Sequence, residues 1–212
     1  MKSRKLLLAA TSTALVAVIG IGATLAYFTD NENAANVVTM GHVDIDLVEW
    51  TDDDKWTEAT DQGFVFENVM PGDDITKRPS IELEDGSRDA WVRMRMAVVP
   101  TEENGIEQEK LYELESILRA DITAEGDWYY NENDGYYYFN QALTNAEDGI
   151  KEVDFFSSVH IPDGWTNNDA ADKSFRIVLT AEAIQEENVT PVMEGDAVVG
   201  WPAAEIQHYQ NQ

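Results

Sequence analysis

The chain has 212 residues, with 14 Lys and Arg against 41 Asp and Glu, a net charge of −27 and no cysteine. That balance argues against nucleic acid and anionic lipid as partners, because phosphates must be met by cations, and the fold must stand without disulfides. Six Trp, eight Tyr and seven Phe supply the apolar surface that an acidic disordered chain lacks, so the chain is expected to fold.

Residues 1–26 have the layout of a secretory leader. Lys2, Arg4 and Lys5 precede an apolar run from Leu6 to Ala26 that closes on small side chains, which places the cut between Ala26 and Tyr27. An uncleaved anchor is the alternative, since about 20 apolar residues span a bilayer. In either case the bulk of the chain faces outside, and the membrane is met only through the leader. Without it about 186 residues remain, carrying about −30, which suits one domain with a sizeable core and a short tail. The expected divisions are a segment over 27–40, a β-sandwich domain over 41–186 and a partly packed tail over 187–212. An exported chain without cysteine fits a Gram-positive surface better than a eukaryotic secretory route.

From Val37 to Val48 the residues Val43, Ile45 and Leu47 alternate with His42, Asp44 and Asp46, which predicts one long strand with a wet face. The stretch from Trp50 to Gln62 is acidic and turn-rich, and Phe64-Val65-Phe66 forms a short strand. Pro71-Gly72 marks a turn before a strand over Ile75–Leu83, and Glu84–Ser87 turns the chain again. Ala90–Val99 reads as a strand with Trp91, Arg93 and Arg95 on one face and Val92, Met94 and Met96 on the other. Glu107–Ala120 is the one helix, with Leu111, Leu114, Ile117 and Leu118 at helical spacing. Trp128–Tyr130 and Tyr136–Phe139, joined through Asp134-Gly135, predict an aromatic hairpin. Further strands are expected over Val153–Ile161 and Ser174–Ile184, with a polar loop over Asp163–Asp172 between them. Beyond Glu186 only Val198–Trp201 has a pattern able to pack. This is an all-β pattern with one helix, and the spacing of its turns points to a β-sandwich with jelly-roll or Greek-key connections.

Several stretches together resemble a known family. The junction Gly22-Ala23-Thr24-Leu25-Ala26-Tyr27-Phe28-Thr29-Asp30, followed by Val43-Asp44-Ile45-Asp46-Leu47, is similar to the leader-to-strand junction of the TasA/camelysin family of Gram-positive bacteria, whose leaders are cut by a SipW-type signal peptidase. Val69–Lys77 resembles the family's Pro-Gly turn and following strand, and Ala90–Arg95 the strand after it. Asp127–Tyr130, Gly135–Tyr138 and Ala181–Gln185 resemble a subgroup of alternate signal-mediated exported proteins. The resemblance implies a jelly-roll domain exported to the cell surface or extracellular matrix, with the signal peptidase, other copies and other surface or matrix proteins as partners. In the TasA branch it further implies biofilm fibres in which one subunit's N-terminal segment, here about Tyr27–Asn36, completes the sheet of its neighbour. The chain departs from that branch in its aromatic hairpin and its more acidic surface.

Strand donation also has a physical rationale, because an extended segment freed by proteolysis can add to an open sheet edge. Tyr27, Phe28, Val37 and Val38 would anchor it, and the alternative is that they pack on their own domain. The camelysin branch carries a metallopeptidase label, so zinc is weighed. His42, His160 and His208 form no His-Glu-x-x-His pair, and no zinc ligand set or catalytic residue is assigned. Calcium suits the loop carboxylates Asp52, Asp53, Asp54, Asp73 and Asp74 better, although no EF-hand spacing is present and a solvated acidic loop is the plainer reading. No other cofactor is implied. The aromatic hairpin offers Trp128, Tyr130 and Tyr137 as a candidate surface for a glycan or protein, and Arg93 and Arg95 are expected to form cross-strand pairs with carboxylates. Asn188-Val189-Thr190 matches a glycosylation acceptor. The expected function is thus a non-enzymatic surface or matrix structural protein, with a secreted metallopeptidase or a glycan- or protein-binding module as alternatives.

Overall fold

A computed structural model describes residues 35–40, 43–50, 57–60, 63–187 and 189–202, giving the backbone alone for 35–40, 49–50, 57–60 and 63. All of them belong to one compact unit, Asn33–Gln212. The leader, with its cut at Ala26 and Tyr27, lies outside the described residues.

The unit is all-β and mostly antiparallel. Its main sheet has seven strands, and two of them form its spine: β7 (Ala90–Pro100) and β12 (Ser174–Gln185) pair antiparallel from Phe175↔Pro100 to Gln185↔Ala90. Beyond β7 lie β9 (Tyr136–Phe139) and β8 (Trp128–Asn131). On the other side of β12, β4 (Gly63–Glu67) pairs antiparallel with residues 174–177, and β3 (Thr57–Thr60) pairs with β4. Further along the same edge, β1 (Ala35–Met40) pairs with Leu179–Ile184 in parallel. A second sheet has the order β10 (Glu152–Asp154), β6 (Arg78–Leu83), β2 (Ile45–Trp50), and a two-stranded piece pairs β11 (Ser158–His160) with β5 (Asp74–Thr76). One core cluster draws Ile45, Ile75, Ile81, Leu83 and Val159 from these smaller sheets, and Val92, Met94, Phe66, Phe175 and Leu179 from the large one. That shared core is what makes the assembly sandwich-like.

The helix α1 (Gln108–Thr123) packs against β7, β8 and β11. It buries Leu111, Leu114, Leu118 and Ile122, while Ile117, expected in the same stripe, is half-buried. The polar loop contains a second, four-residue helix, α2 (Asn167–Ala170), started by a capping box between Thr166 and Asp169.

The expected long strand over Val37–Val48 is two strands in different sheets. Pairing stops at Met40 and resumes at Ile45, so four residues carry the chain from the large sheet to the small one. The alternation itself holds at Val43 and Ile45, which are buried beside exposed Asp44 and Asp46. The expected strands Ile75–Leu83 and Val153–Ile161 each divide in two, yet they pair with each other. Thr76↔Ser158 and Ser80↔Asp154 share one register, and the interval is bridged by Lys77 N–H to Ser157 O (3.2 Å) and Phe155 N–H to Pro79 O (2.8 Å). Pro79 cannot donate at this point, and Lys77 turns inward to full burial with its ammonium against the Phe64 ring. The acidic stretch read as turns contains β3, and the tail forms a hairpin of β13 (Val192–Glu194) and β14 (Ala197–Gly200).

Burial distinguishes residues that the helical spacing alone treats alike. Leu114→Ala is expected to lower stability by about 2–5 kcal/mol, and Ile117→Ala by clearly less, in urea denaturation of the two variants.

Candidate functional site: the edge and outer face of β12

Alternation along β12 assigns its side chains to two faces. Ile177, Leu179, Ala181 and Ala183 face the shared core, whereas Glu182 and Ile184 stand on the outer face. Directly across on β7, Arg93 faces Glu182 and Trp91 faces Ile184. Tyr138 of β9 is the register partner of Arg93 on its other side. Outer-face positions of the three central strands thus bring together one cation, one carboxylate and two phenols.

These groups form a single network. Arg93 donates to Glu182 Oε2 from Nε at 2.8 Å and from Nη2 at 2.5 Å, and from Nη1 to the Tyr138 hydroxyl at 2.9 Å. Tyr136 donates to Glu182 Oε1 (2.8 Å), and Tyr138 donates to Asp134 Oδ2 (2.7 Å). The Arg93 guanidinium lies 3.9 Å from the Tyr136 ring centroid and 4.3 Å from that of Trp201. Side-chain exposures of 10% for Arg93 and 12% for Glu182 make this a nearly buried ion pair, satisfied on both sides. Burial opposes the charge on Arg93, and the neighbouring Glu182 and Tyr138 outweigh it, holding Arg93 above its ordinary pKa. Burial likewise raises Tyr136 and Tyr138, helped by their carboxylate acceptors.

The C-terminal hairpin covers this face. Val189, Val198 and Trp201 join Ile184 and Tyr138 in a second, smaller apolar cluster, against which Trp91 and Tyr136 also pack. Two side-chain amides moor β14: Asn131 Nδ2 donates to Val199 O (2.8 Å), and Val198 N–H donates to Asn140 Oδ1 (3.0 Å). The indole N–H groups of Trp91 and Trp201 are buried with no hydrogen-bond acceptor among the described residues.

The expected cross-strand pairing is present for Arg93. Arg95 is exposed and reaches the edge of the Tyr136 ring, 5.6 Å from its centroid. The backbones of Val37 and Val38 pair with Ala181 and Glu182 of the same chain, so in one chain these two residues belong to their own sheet. Tyr27 and Phe28 lie outside the described residues. The candidate interaction surface needs correction, because Trp128 and Tyr137 are 4% and 1% exposed. Trp128↔Phe139 and Tyr130↔Tyr137 are register pairs on the core side of the hairpin, and Tyr130 is half-covered by the Arg119 guanidinium, 4.2 Å from its ring. Burial pushes the Tyr137 phenol up to about 12. The outward set is instead Tyr129, Tyr136 and Tyr138, of which Tyr138 is buried beneath the hairpin and Trp201.

Asp73 accepts the Met70 N–H in the Pro-Gly turn (2.8 Å), where Gly72 has φ +82°. Asp74 faces His160, Oδ1 to Nδ1 at 2.8 Å, with Asp163 3.6 Å from the other ring nitrogen. Asp52, Asp53, Asp54, His42, His208 and Asn188 lie outside the described residues. Among the described residues no group of three or more His, Asp or Glu is arranged to hold a metal ion. None of the helices among them is long and apolar enough to cross a membrane. An open cleft of about 780 Å³ lies between the end of α1 and β10, and its lining sets Asp121, Glu125, Asp127, Glu152 and Asp154 against one cation, Arg78, a balance that disfavours anionic ligands. No family model, curated protein or solved structure matches the chain.

Sequence reasoning did not identify Glu182 as the partner of Arg93 or Trp201 as its cover. The available signal was a lone carboxylate at an outward position of an apolar strand, in a chain whose Arg93 needed a counter-charge.

Two measurements test these electrostatics. Glu182→Gln leaves Arg93 buried without its counter-charge and is expected to cost about 3–5 kcal/mol in urea denaturation, much of it recovered when Arg93→Met is added. His160 has a raised pKa, caused first by its hydrogen bond to Asp74. Its stabilising contribution is therefore full below the unfolded-state value of about 6.5 and lost as pH rises through the higher folded-state value. Melting temperature should fall across that interval, and His160→Gln should flatten the fall.

Proposed function

We propose that this chain is an exported structural protein of a bacterial cell surface or extracellular matrix, assembling when its N-terminal strand is exchanged between copies. The observation that carries this reading is the placement of β1. It is a parallel strand on an otherwise antiparallel sheet, among the described residues it has β12 as its one strand neighbour, and it begins eight residues after the expected cut at Ala26 and Tyr27. A strand held along one side, close to a terminus released by a signal peptidase, is well suited to leave one copy and add to the equivalent edge of another.

The link to β2 supports the same reading. Four residues between Met40 and Ile45 span at most about 14 Å. A connection that short lets β1 reach its own β12 only by crossing between the sheets, and short hinges of this kind favour exchange between copies. Exchange preserves every backbone pair, so the assembled and closed forms differ mainly in entropy and in repulsion between copies of net charge about −30. Salt screening lowers that repulsion. Calcium would lower it further by binding carboxylates such as Asp52, Asp53, Asp54, Asp73 and Asp74. No catalytic residue is part of this function.

The test compares the chain beginning at Tyr27 with one beginning at Gly41, by electron microscopy and light scattering across ionic strength and with or without calcium. Filaments from the longer chain alone, increasing with salt, are expected, together with saturable binding of a peptide covering 27–40 to the shorter one. Monomers of equal stability from both chains would sink the exchange and turn attention to binding through Tyr129 and Tyr136.

A further inference from the structure

We infer that the C-terminal hairpin and Trp201 are a clamp on the strand edge that receives β1, so that the two ends of the described chain are coupled through β12. Both act on the same six residues. Leu179–Ile184 pair with Ala35–Met40 along the edge, and Glu182 and Ile184 of that stretch are held from the outer face. Ile184 packs with Val189, Val198 and Trp201, and Glu182 is bound to the Arg93 guanidinium that Trp201 covers.

The two contacts also meet in sequence. β12 ends at Gln185, the chain is fastened by Glu186 N–H to Asp89 O (2.8 Å), and Val189 N–H returns to Glu186 O (3.1 Å) before β13 begins. The hairpin is thus tied directly to the end of the edge that β1 occupies, and movement of the cap acts on β12 where Thr39 and Met40 pair with Ala183 and Ile184.

The clamp is built to open before the core does. β13 and β14 pair with each other, are moored to the large sheet by the amides of Asn131 and Asn140, and share a cluster of five buried residues. Two buried indole N–H groups, on Trp91 and Trp201, have no acceptor among the described residues while the cap is closed, and opening returns Trp201's to water. Val192 and Met193 remain 48% and 45% exposed, so β13 contributes little burial. With the cap lifted, water reaches the outer face of β12, the Arg93–Glu182 pair loses its cover, and β1 keeps a single, loosened neighbour. The clamp's use in assembly rests on the exchange of β1 proposed above, whereas its effect on the pairing is a property of one chain.

Native-state amide hydrogen exchange on the chain from Tyr27, which contains the whole compact unit Asn33–Gln212, tests the coupling. Trp201→Ala uncovers Arg93, and Asn131→Ala unhooks β14 without altering the apolar cluster. Both are expected to speed exchange at 35–40 about tenfold, in step with 198–200, while Val92–Val98 and Leu111–Leu118 keep their rates. Faster exchange at 198–200 with unchanged exchange at 35–40 overturns the clamp, as does a cap that responds to neither substitution. If Trp201→Ala also loosens Leu111–Leu118, the chain has lost its core and Asn131→Ala decides. Failure of the wild-type chain to form filaments counts against the proposed function and leaves the exchange result standing.

Discussion

The pairing of β12 with β7 is the constraint on which the remaining structure depends. It runs for eleven residue pairs, and its inner face sets Ala181 and Ala183 against Met94 and Val92, small residues opposite large ones. A slip of β12 by one residue past β7 would turn Glu182 inward and Ala181 outward, leaving Arg93 on the outer face without its partner. Their charge pair on the outer face and the apolar set on the inner face therefore specify the same register. β4 and β1 can share the other edge of β12 because that register is fixed along its length.

The outer face carries a burden that the core does not. In a nearly buried Arg–Glu pair desolvation offsets much of the attraction, but the pair penalises any arrangement that separates the two groups. Arginine suits the position better than lysine would, because its planar fork meets one Glu182 oxygen while its faces lie against Tyr136 and Trp201. The Tyr138 hydroxyl accepts from Arg93 and donates to Asp134, and the Tyr136 hydroxyl donates to the second Glu182 oxygen. Of the aromatic hairpin, Trp128 and Tyr137 lie in the core, and the alternate residues Tyr136 and Tyr138 line the ion pair.

Periodicity explains what could be read in advance. The aromatic hairpin, the spine strands and the helix were legible because each has a sustained period and a clear boundary. The faces were harder to assign, since a period of two gives alternation without its sign. Trp128, Tyr130 and Tyr137 were expected outward and lie inward, the sign being set by partners far along the chain, β7 on one side and α1 on the other. Breaks were illegible for a related reason. The interruption at Lys77–Pro79 and the division between Met40 and Ile45 follow from one strand pairing with two neighbours, or two strands joining different sheets. The Arg93 site required Glu182, 89 positions away, and only the register could join them.

An exposed edge on a long central strand is a hazard for any chain, and here one short segment answers it. In the closed chain β1 shields the backbone of Leu179–Ile184, so the monomer presents no open half-edge there. In an exchanged chain the same residues would form the joint between copies, with no new contact required. Under the proposed exchange, protection and assembly would be two uses of one pairing. Because all the hydrogen bonds would be conserved between the two forms, small terms would decide the balance: chain entropy, chain concentration and repulsion between acidic surfaces. A highly charged surface is then consistent with an assembling protein, because it sets a threshold that ionic strength and protein concentration must overcome before the edge changes partner.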